Sequence, residues 1–278
     1  MPELPEVERA RKLCERVAAG RRIERARCAN DRIVFDGVSP AAFARSLRGR
    51  EVREVLRRGK HLWFALDRPP HPLFHFGMAG GFRAKGETAL PLVSSGRKVE
   101  VDWPPRWAKV HLFLEGGGEL VMTDKRRLGR VRLREDPERE PPIADLGFDP
   151  LLDPPGAAEF ARRLRARGTS VKAVLLDQSF AAGVGNWIAD EVLYQARIDP
   201  RRRADALSEA GARRLRAVLL RVVRHAVTVD AEKARFPRTW LFHRRWGKKA
   251  GATTARGERI VFLEVAGRTT AFVPSVQR

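Results

Sequence analysis

Cysteine is almost missing from this 278-residue chain, which holds only Cys14 and Cys28. Two thiols cannot build the disulfide framework of a small secreted domain, and no second Cys or His pair lies near them at zinc spacing. Both are expected to be buried thiols or strand residues. No apolar stretch reaches the ~18–20 residues a membrane span needs, and no basic-then-apolar leader precedes a small-residue cleavage site. The expectation is a soluble cytoplasmic protein with no membrane partner. There is no internal repeat and no low-complexity tract, which excludes a repeat architecture. Acidic residues are also short, 34 against 55 basic ones, for a formal charge of +21. That excess goes beyond what solubility requires and implies a polyanionic partner, nucleic acid ahead of an anionic membrane surface.

What is present is enough apolar material for a folded core: 43% of the residues are hydrophobic, and the length suits two domains. From Glu3 to Ala19, Val7, Ala10, Leu13, Cys14 and Val17 recur at three- and four-residue intervals and Gly20 follows, predicting an amphipathic helix. Residues 21–135 change character. Segments such as Glu51 to Leu66, and Lys109 to Thr123 broken by Gly116–Gly118, read as antiparallel strands. Arg134 to Asp153, with Pro137, Pro141, Pro142 and Pro150, has no period and reads as a linker. Helices are expected near 156–166, 169–176, 187–196 and 204–228, and two strands joined at Ala266-Gly267 between Arg259 and Val273. The resulting α+β division is 1–135, a linker at 136–153, a helical part at 154–234 and a terminal hairpin part at 235–278. Basic clusters at Arg201–Arg203 and His243–Lys249 are read as solvated faces.

Four separated motifs carry chemistry. The chain opens Met1-Pro2-Glu3-Leu4-Pro5-Glu6-Val7-Glu8. Removal of Met1 would leave Pro2 as a secondary amine able to form an iminium at a sugar C1′ without first losing a second proton. An α-amino group of reference pKa about 7.7–8.0 is roughly one-tenth uncharged near neutrality. Read alone, the octapeptide is equally a helix start, with proline in the first turn and carboxylates offsetting the dipole. The second motif, Arg57-Arg58-Gly59-Lys60-His61-Leu62-Trp63, is a basic turn entering a strand, with Lys60 within reach of a phosphate or a reacting sugar. The third, Gly183-Val184-Gly185-Asn186 before a helix, lets backbone N–H groups and the Asn186 side chain approach a phosphate. It is not a dinucleotide fingerprint, because Ile188 stands where a third small residue belongs. The fourth, Gly267-Arg268-Thr269-Thr270, is a hairpin presenting one arginine. Each has a structural explanation by itself, but the four in this order are specific.

Together they make the chain resemble the formamidopyrimidine-DNA glycosylase (Fpg/Nei) family along nearly its whole length. The resemblance implies an N-terminal helix with an antiparallel β-sandwich, a helix–two-turn–helix domain and a C-terminal β-hairpin finger. It makes Pro2 the nucleophile, Glu3 the acid that protonates the deoxyribose ring oxygen, and Glu6 a supporting residue. Lys60 then contacts phosphate and assists strand cleavage, while Asn186 and Arg268 bind phosphate. Within Phe74-His75-Phe76-Gly77-Met78-Ala79-Gly80, Met78 matches the wedge that fills the void after base flipping and His75 a phosphate contact. Within Asp124-Lys125-Arg126-Arg127-Leu128-Gly129, Arg126 matches the arginine that pairs with the orphaned base. Extruding one nucleotide costs a few kcal/mol, which gives these inserted side chains an energetic task.

The implied activity is a bifunctional glycosylase and abasic-site lyase of base-excision repair. Its partner is damaged double-stranded DNA, its state is monomeric, its place is the cytoplasm or a bacterial nucleoid, and it uses no cofactor. Departures from the pattern sharpen it. Valines Val273 and Val276 stand where two zinc-binding cysteines belong, so the finger resembles the zincless, plant-type branch. It is expected to hold itself by apolar packing of Trp240, Phe242, Trp246, Phe262 and Phe272. Leu128 replaces a phenylalanine that probes the stack. Val229 to Trp240 is too short for the loop that folds over 8-oxoguanine, so formamidopyrimidines, hydantoins and abasic sites are the expected substrates. The alternatives are an oxidised-pyrimidine preference of the Nei type and a non-catalytic nucleic-acid-binding protein.

Overall fold

The three- and four-residue apolar spacing at the start of the chain does form a helix. In the computed structural model, which describes residues 2–87 and 102–278, α1 spans Leu4–Ala18, with Glu3 as its N-cap and a proline in its first turn. Met1, on whose removal the chemistry of Pro2 depends, lies outside the described residues. The chain divides into two units, Met1–Asp145 and Leu146–Arg278.

In the first unit, β1 (Ile23–Cys28) is followed by a helix the sequence reading did not include, α2 (Pro40–Leu47). Its signals were present: Ser39 accepts the N–H of Ala42 at 3.2 Å as N-cap, Pro40 follows, and Gly49 closes the segment. Then come β2 (Val52–Arg58), β3 (His61–Leu66), β4 (His71–His75), β5 (Gly81–Ala84), β6 (Ala108–Leu114), β7 (Glu119–Thr123) and β8 (Arg130–Arg134). They pair antiparallel in two four-stranded sheets, ordered β1-β6-β7-β5 and β2-β3-β4-β8. One core lies between the sheets and under both helices, joining Val7 and Cys14 of α1 and Phe43 of α2 to Phe64, Phe74, Phe82, Val110, Leu112 and Met122. Phe74 and Phe82 meet edge to face at 5.0 Å, the arrangement aromatic quadrupoles favour. Strand β3 is apolar on both faces for a reason: Leu62 and Phe64 enter this core, while Trp63 packs with Leu73 and Ile143 on the other side.

Ile143 belongs to the segment read as a linker. Residues 135–156 hold no helix and only an isolated bridge, Phe148 to Ala181, but their apolar side chains are packed. Ile143 joins the first unit, and Phe148 stacks edge to face on Phe160 and Phe180 in the second. A segment of proline turns has no period to report this.

The second unit contains α3 (Ala157–Arg165), α4 (Val171–Leu176), α5 (Asn186–Ala196), α6 (Glu209–Thr228), β9 (Val261–Val265) and β10 (Arg268–Phe272). Helix α6 begins later than expected because Ser208 caps it, accepting the Gly211 N–H at 3.1 Å. Strands β9 and β10 form a two-stranded antiparallel hairpin turning at Ala266-Gly267. The helical part and the hairpin form one unit, not two.

Candidate functional site

In the first unit, the head of α1 is the most enclosed part of the candidate site. Pro2 is buried, and Glu3 is 2% exposed. Glu6 turns back so that its carboxylate accepts the backbone N–H of Glu3 at 3.0 Å, the returning half of a capping box. Burial, and after it the neighbouring Glu3 charge, push the Glu6 carboxyl up to about 7. A carboxyl that changes protonation near neutrality therefore stands beside the two residues assigned to nucleophile and acid.

Lys60 occupies the two-residue turn between β2 and β3, after Gly59 at φ +58°. What ties this turn to α1 was not recognised from sequence. Arg57, 3% exposed, donates through Nε to Glu8 at 2.9 Å and through Nη1 to the Gly59 carbonyl at 3.0 Å. One turn further on, Arg11 donates to Glu8 at 2.9 Å and to the Val55 carbonyl at 3.2 Å, and Glu15 accepts the Val55 N–H at 2.9 Å. The helix carrying Pro2 and Glu3 is thus hydrogen-bonded along β2 up to the hairpin carrying Lys60. The signal was the spacing of Glu8, Arg11 and Glu15, an alternating charged stripe on one face of α1.

His75 ends β4 with its ring 4.9 Å from that of His61. Burial, together with Lys60, Arg132 and Arg130, pushes its pKa down to about 4, so it is neutral at pH 7. Its Nδ1 accepts the Gly77 N–H at 3.3 Å, which leaves the proton on Nε2. His75 can therefore offer a phosphate a hydrogen bond, not a positive charge.

Met78 and Leu128 are large apolar side chains left exposed, by 39% and 43%. Their loops are pressed together. A Cβ on Gly77 would stand 2.4 Å from the Leu128 carbonyl carbon, and one on Gly129 would stand 2.8 Å from the His75 carbonyl oxygen. Fully buried Asp124 shapes the second loop, accepting the N–H of Arg126 at 3.0 Å and of Gly129 at 2.7 Å. Arg127, at φ +56°, is drawn back onto Asp31 at 3.0 Å, where Lys109 also binds at 2.6 Å. Arg126 and Leu128 stay exposed on either side of it.

The second unit carries Asn186 and Arg268. Gln178 shapes the two-glycine turn before α5, donating to the Leu176 and Val184 carbonyls and accepting the Gly183 N–H at 3.0 Å. Asn186 is half-buried and not open: its Nδ2 donates to the Thr269 carbonyl at 2.8 Å. An amide nitrogen has two hydrogens, so one holds the finger and one is left for a phosphate. Arg268 is exposed at the start of β10.

Apolar side chains pack around the terminal hairpin, including residues not singled out from sequence. Trp187 and Phe236 join Trp240, Phe242 and Trp246 in one aromatic set, while Phe262 packs with Leu241, Ile260 and Ala271 and Phe272 is buried nearby. Buried charge is the larger omission. Asp190 accepts from Lys172 at 2.6 Å, from Arg245 at 2.6 Å and from the Ala271 N–H at 3.1 Å, and Lys172 also reaches Thr270 Oγ1 at 2.6 Å. Arg245 is 8% exposed, so the basic cluster that contains it is not simply a solvated face.

The chain is similar to known proteins along its whole length. The formamidopyrimidine-DNA glycosylase N-terminal domain matches residues 1–131, and the formamidopyrimidine-DNA glycosylase H2TH domain matches residues 146–238. The chain is 44% identical over 278 residues to the formamidopyrimidine-DNA glycosylase of Arabidopsis thaliana, covering all of this chain and 71% of that protein. It is 34% identical over 291 residues to that of Thermus thermophilus, covering 100% and 98% of the two chains. Among solved structures, the Lactococcus lactis formamidopyrimidine-DNA glycosylase bound non-covalently to DNA containing an AP site superposes with a TM-score of 0.81. That match has 25% identity and covers 99% of each chain.

Proposed function

The chain belongs to the formamidopyrimidine-DNA glycosylase family, the DNA glycosylases of base-excision repair, and on that premise we propose that it releases oxidised bases from duplex DNA and then cuts the abasic strand through Pro2. The observation that carries the proposal is the enclosed head of α1, where buried Pro2 and Glu3 adjoin a carboxyl titrating near 7 and the same helix is bonded to the Lys60 hairpin.

The chemistry needs a free Pro2 nitrogen, hence loss of Met1. The Pro2 lone pair attacks C1′ as the bond from C1′ to the damaged base breaks, and the base leaves with that electron pair and gains a proton. Glu3 protonates the ring oxygen, the ring opens, and an iminium joins Pro2 to C1′. The iminium acidifies the C2′ hydrogen. Loss of that proton expels the 3′ phosphate, loss of a second from C4′ expels the 5′ phosphate, and water returns the free amine. Burial pushes the Glu6 carboxyl up to about 7, so it can take up or release a proton beside Glu3 near neutrality. Lys60 and Arg268 offset phosphate charge, Asn186 donates a hydrogen bond to phosphate, and Met78, Arg126 and Leu128 occupy the gap the extruded nucleotide leaves.

Lesion preference follows from the chain after α6. Between Thr228 and Trp240 there is room only for a short helical turn, Lys233–Arg235, before Phe236 and Trp240 are buried. This supports a preference for formamidopyrimidines, hydantoins and abasic sites over 8-oxoguanine. Borohydride added during turnover, with a mass measurement verifying free Pro2, should trap a covalent protein–DNA adduct. Failure to trap one would leave only non-catalytic DNA binding. Excision of 8-oxoguanine opposite cytosine as fast as of formamidopyrimidine would defeat the lesion preference.

A further inference from the structure

A cavity of about 750 Å³ in the second unit lies at the end of α5 away from Asn186, lined there by Tyr194, Gln195 and Arg197. Eleven residues of helix put the two ends about 15 Å apart. Five more arginines line the cavity besides Arg197: Arg202, Arg214, Arg221, Arg256 and Arg278, all exposed. Glu258 is the one acidic side chain in the lining, and it is occupied by the Tyr194 hydroxyl at 3.1 Å and Thr254 Oγ1 at 2.5 Å.

Part of this charge has a local explanation. Arg214 donates to the Ala196 carbonyl at 2.9 Å and Arg221 to the Gln195 side chain at 3.0 Å, as cations do at the negative end of a helix. These bonds hold in place two guanidinium groups that rise from one face of α6, at backbone positions seven residues and so about 10 Å apart. Arg197, Arg202 and Arg256 make no ion pair with any described carboxylate. Arg201 and Arg203 beside them are paired, with Asp199 and Asp205 at 2.6 Å each. The unpaired cations therefore face the cavity, and the neighbours that face away are neutralised.

We propose that this cavity is a second phosphodiester-binding site, which takes the backbone of a duplex segment other than the one held by Asn186 and Arg268. Three features select that ligand. Six arginines in one lining are more than a single phosphate requires and suit several phosphates of a backbone. Tyr194 and Trp240, the aromatic residues of the lining, are 9% and 8% exposed and offer no platform for stacking bases, which binding of single strands relies on. Thr239 and Ser275 add hydroxyl donors of the kind that bind duplex phosphates. Two duplex sites on one molecule would let it pass between DNA segments without first dissociating.

The inference uses the function proposed above only to choose DNA as the polyanion, and the test separates the two. Full-length protein is saturated with a duplex of one helical turn bearing an abasic analogue, and a labelled lesion-free duplex is then titrated at about 50 mM salt. Wild-type protein should take up the second duplex. Arg202→Glu with Arg256→Glu should weaken that uptake at least tenfold, and the salt slope of log K should fall by about two for two lost phosphate contacts. Arg202→Lys with Arg256→Lys should restore most of it, and base release from the short lesion duplex should be equal in all three proteins. The proposal is overturned if wild type binds no second duplex, if the charge reversals leave uptake and slope unchanged, or if a single strand of equal length displaces the duplex. Uptake of the second duplex without any base release would sink the enzymatic reading and leave this one standing.

Discussion

Two hairpins each carry a basic residue expected to meet phosphate, Lys60 at the β2–β3 turn and Arg268 at the start of β10, and they are secured by different means. The first belongs to a four-stranded sheet over a large apolar core, and the buried pair of Glu8 with Arg57 helps to tie its turn to α1. The second has two five-residue strands, and such a ribbon is marginal in water alone. It is held by aromatic packing and by Asp190, whose carboxylate takes Lys172, Arg245 and the Ala271 N–H. A slip of one residue along β10 would break the last bond, so the buried charges set register where a small core cannot. Buried charge orients a turn in the first unit and secures the fold of the hairpin in the second.

The largest expected effect tests the reactive end of the first unit without touching either anchor. Glu3→Gln should slow single-turnover base release by about 10²- to 10⁴-fold, the usual worth of a general acid, while binding of an abasic-analogue duplex changes little. Next comes the contrast itself. Asp190→Ala strands two buried cations and should cost about 3–5 kcal/mol of unfolding free energy in denaturant. Glu8→Ala, over the broader core, should cost only about 1–3 kcal/mol and act mainly on the rate of strand cleavage. Equal losses of stability would break the comparison.

A pH measurement sharpens it further. Burial pushes the Glu191 carboxyl up to about 7 against an ordinary 4.5, although it accepts the Phe242 N–H at 2.8 Å and Gln195 Nε2 at 2.7 Å. The folded state thus holds a proton that the unfolded state has released. Stability should fall as pH rises from about 5 to about 7.5, by on the order of 3 kcal/mol, and then level off. Thermal unfolding of Glu191→Gln across that window should lack this component, and a slope identical to wild type would refute the assignment. The smallest effect is at Leu128, 43% exposed. Leu128→Ala should change stability by no more than about 0.5 kcal/mol while weakening lesion-duplex binding, because the side chain is placed for contact and not for folding.

Much of this architecture was legible in local pattern. Helix α1, the β2–β3 and β9–β10 hairpins, the glycine turn before α5 and the four motifs all lie where spacing and turn residues indicated. What was missed had one of two causes. Helix α2 was overlooked inside a β-rich stretch although Ser39-Pro40 and Gly49 mark its ends, and the 136–153 segment looked free because proline turns carry no period. Arg245 looked solvated within a basic run, and Asn186 looked open, because neither residue's partner is close to it in sequence.

By itself the sequence determined most of the order of elements, the large positive charge and the placing of Pro2, Glu3, Lys60, Asn186 and Arg268 in their motifs, since each depends on composition or on neighbours a few residues away. Only the tertiary structure decided which charges are buried and to whom they are bound. Glu8 meets Arg57 across 49 residues, Asn186 meets Thr269 across 83, and Arg245 meets Asp190 across 55. Periodicity reports which face of its own element a side chain occupies. What stands opposite that face is settled by packing, and there desolvation forces every charge to find a partner.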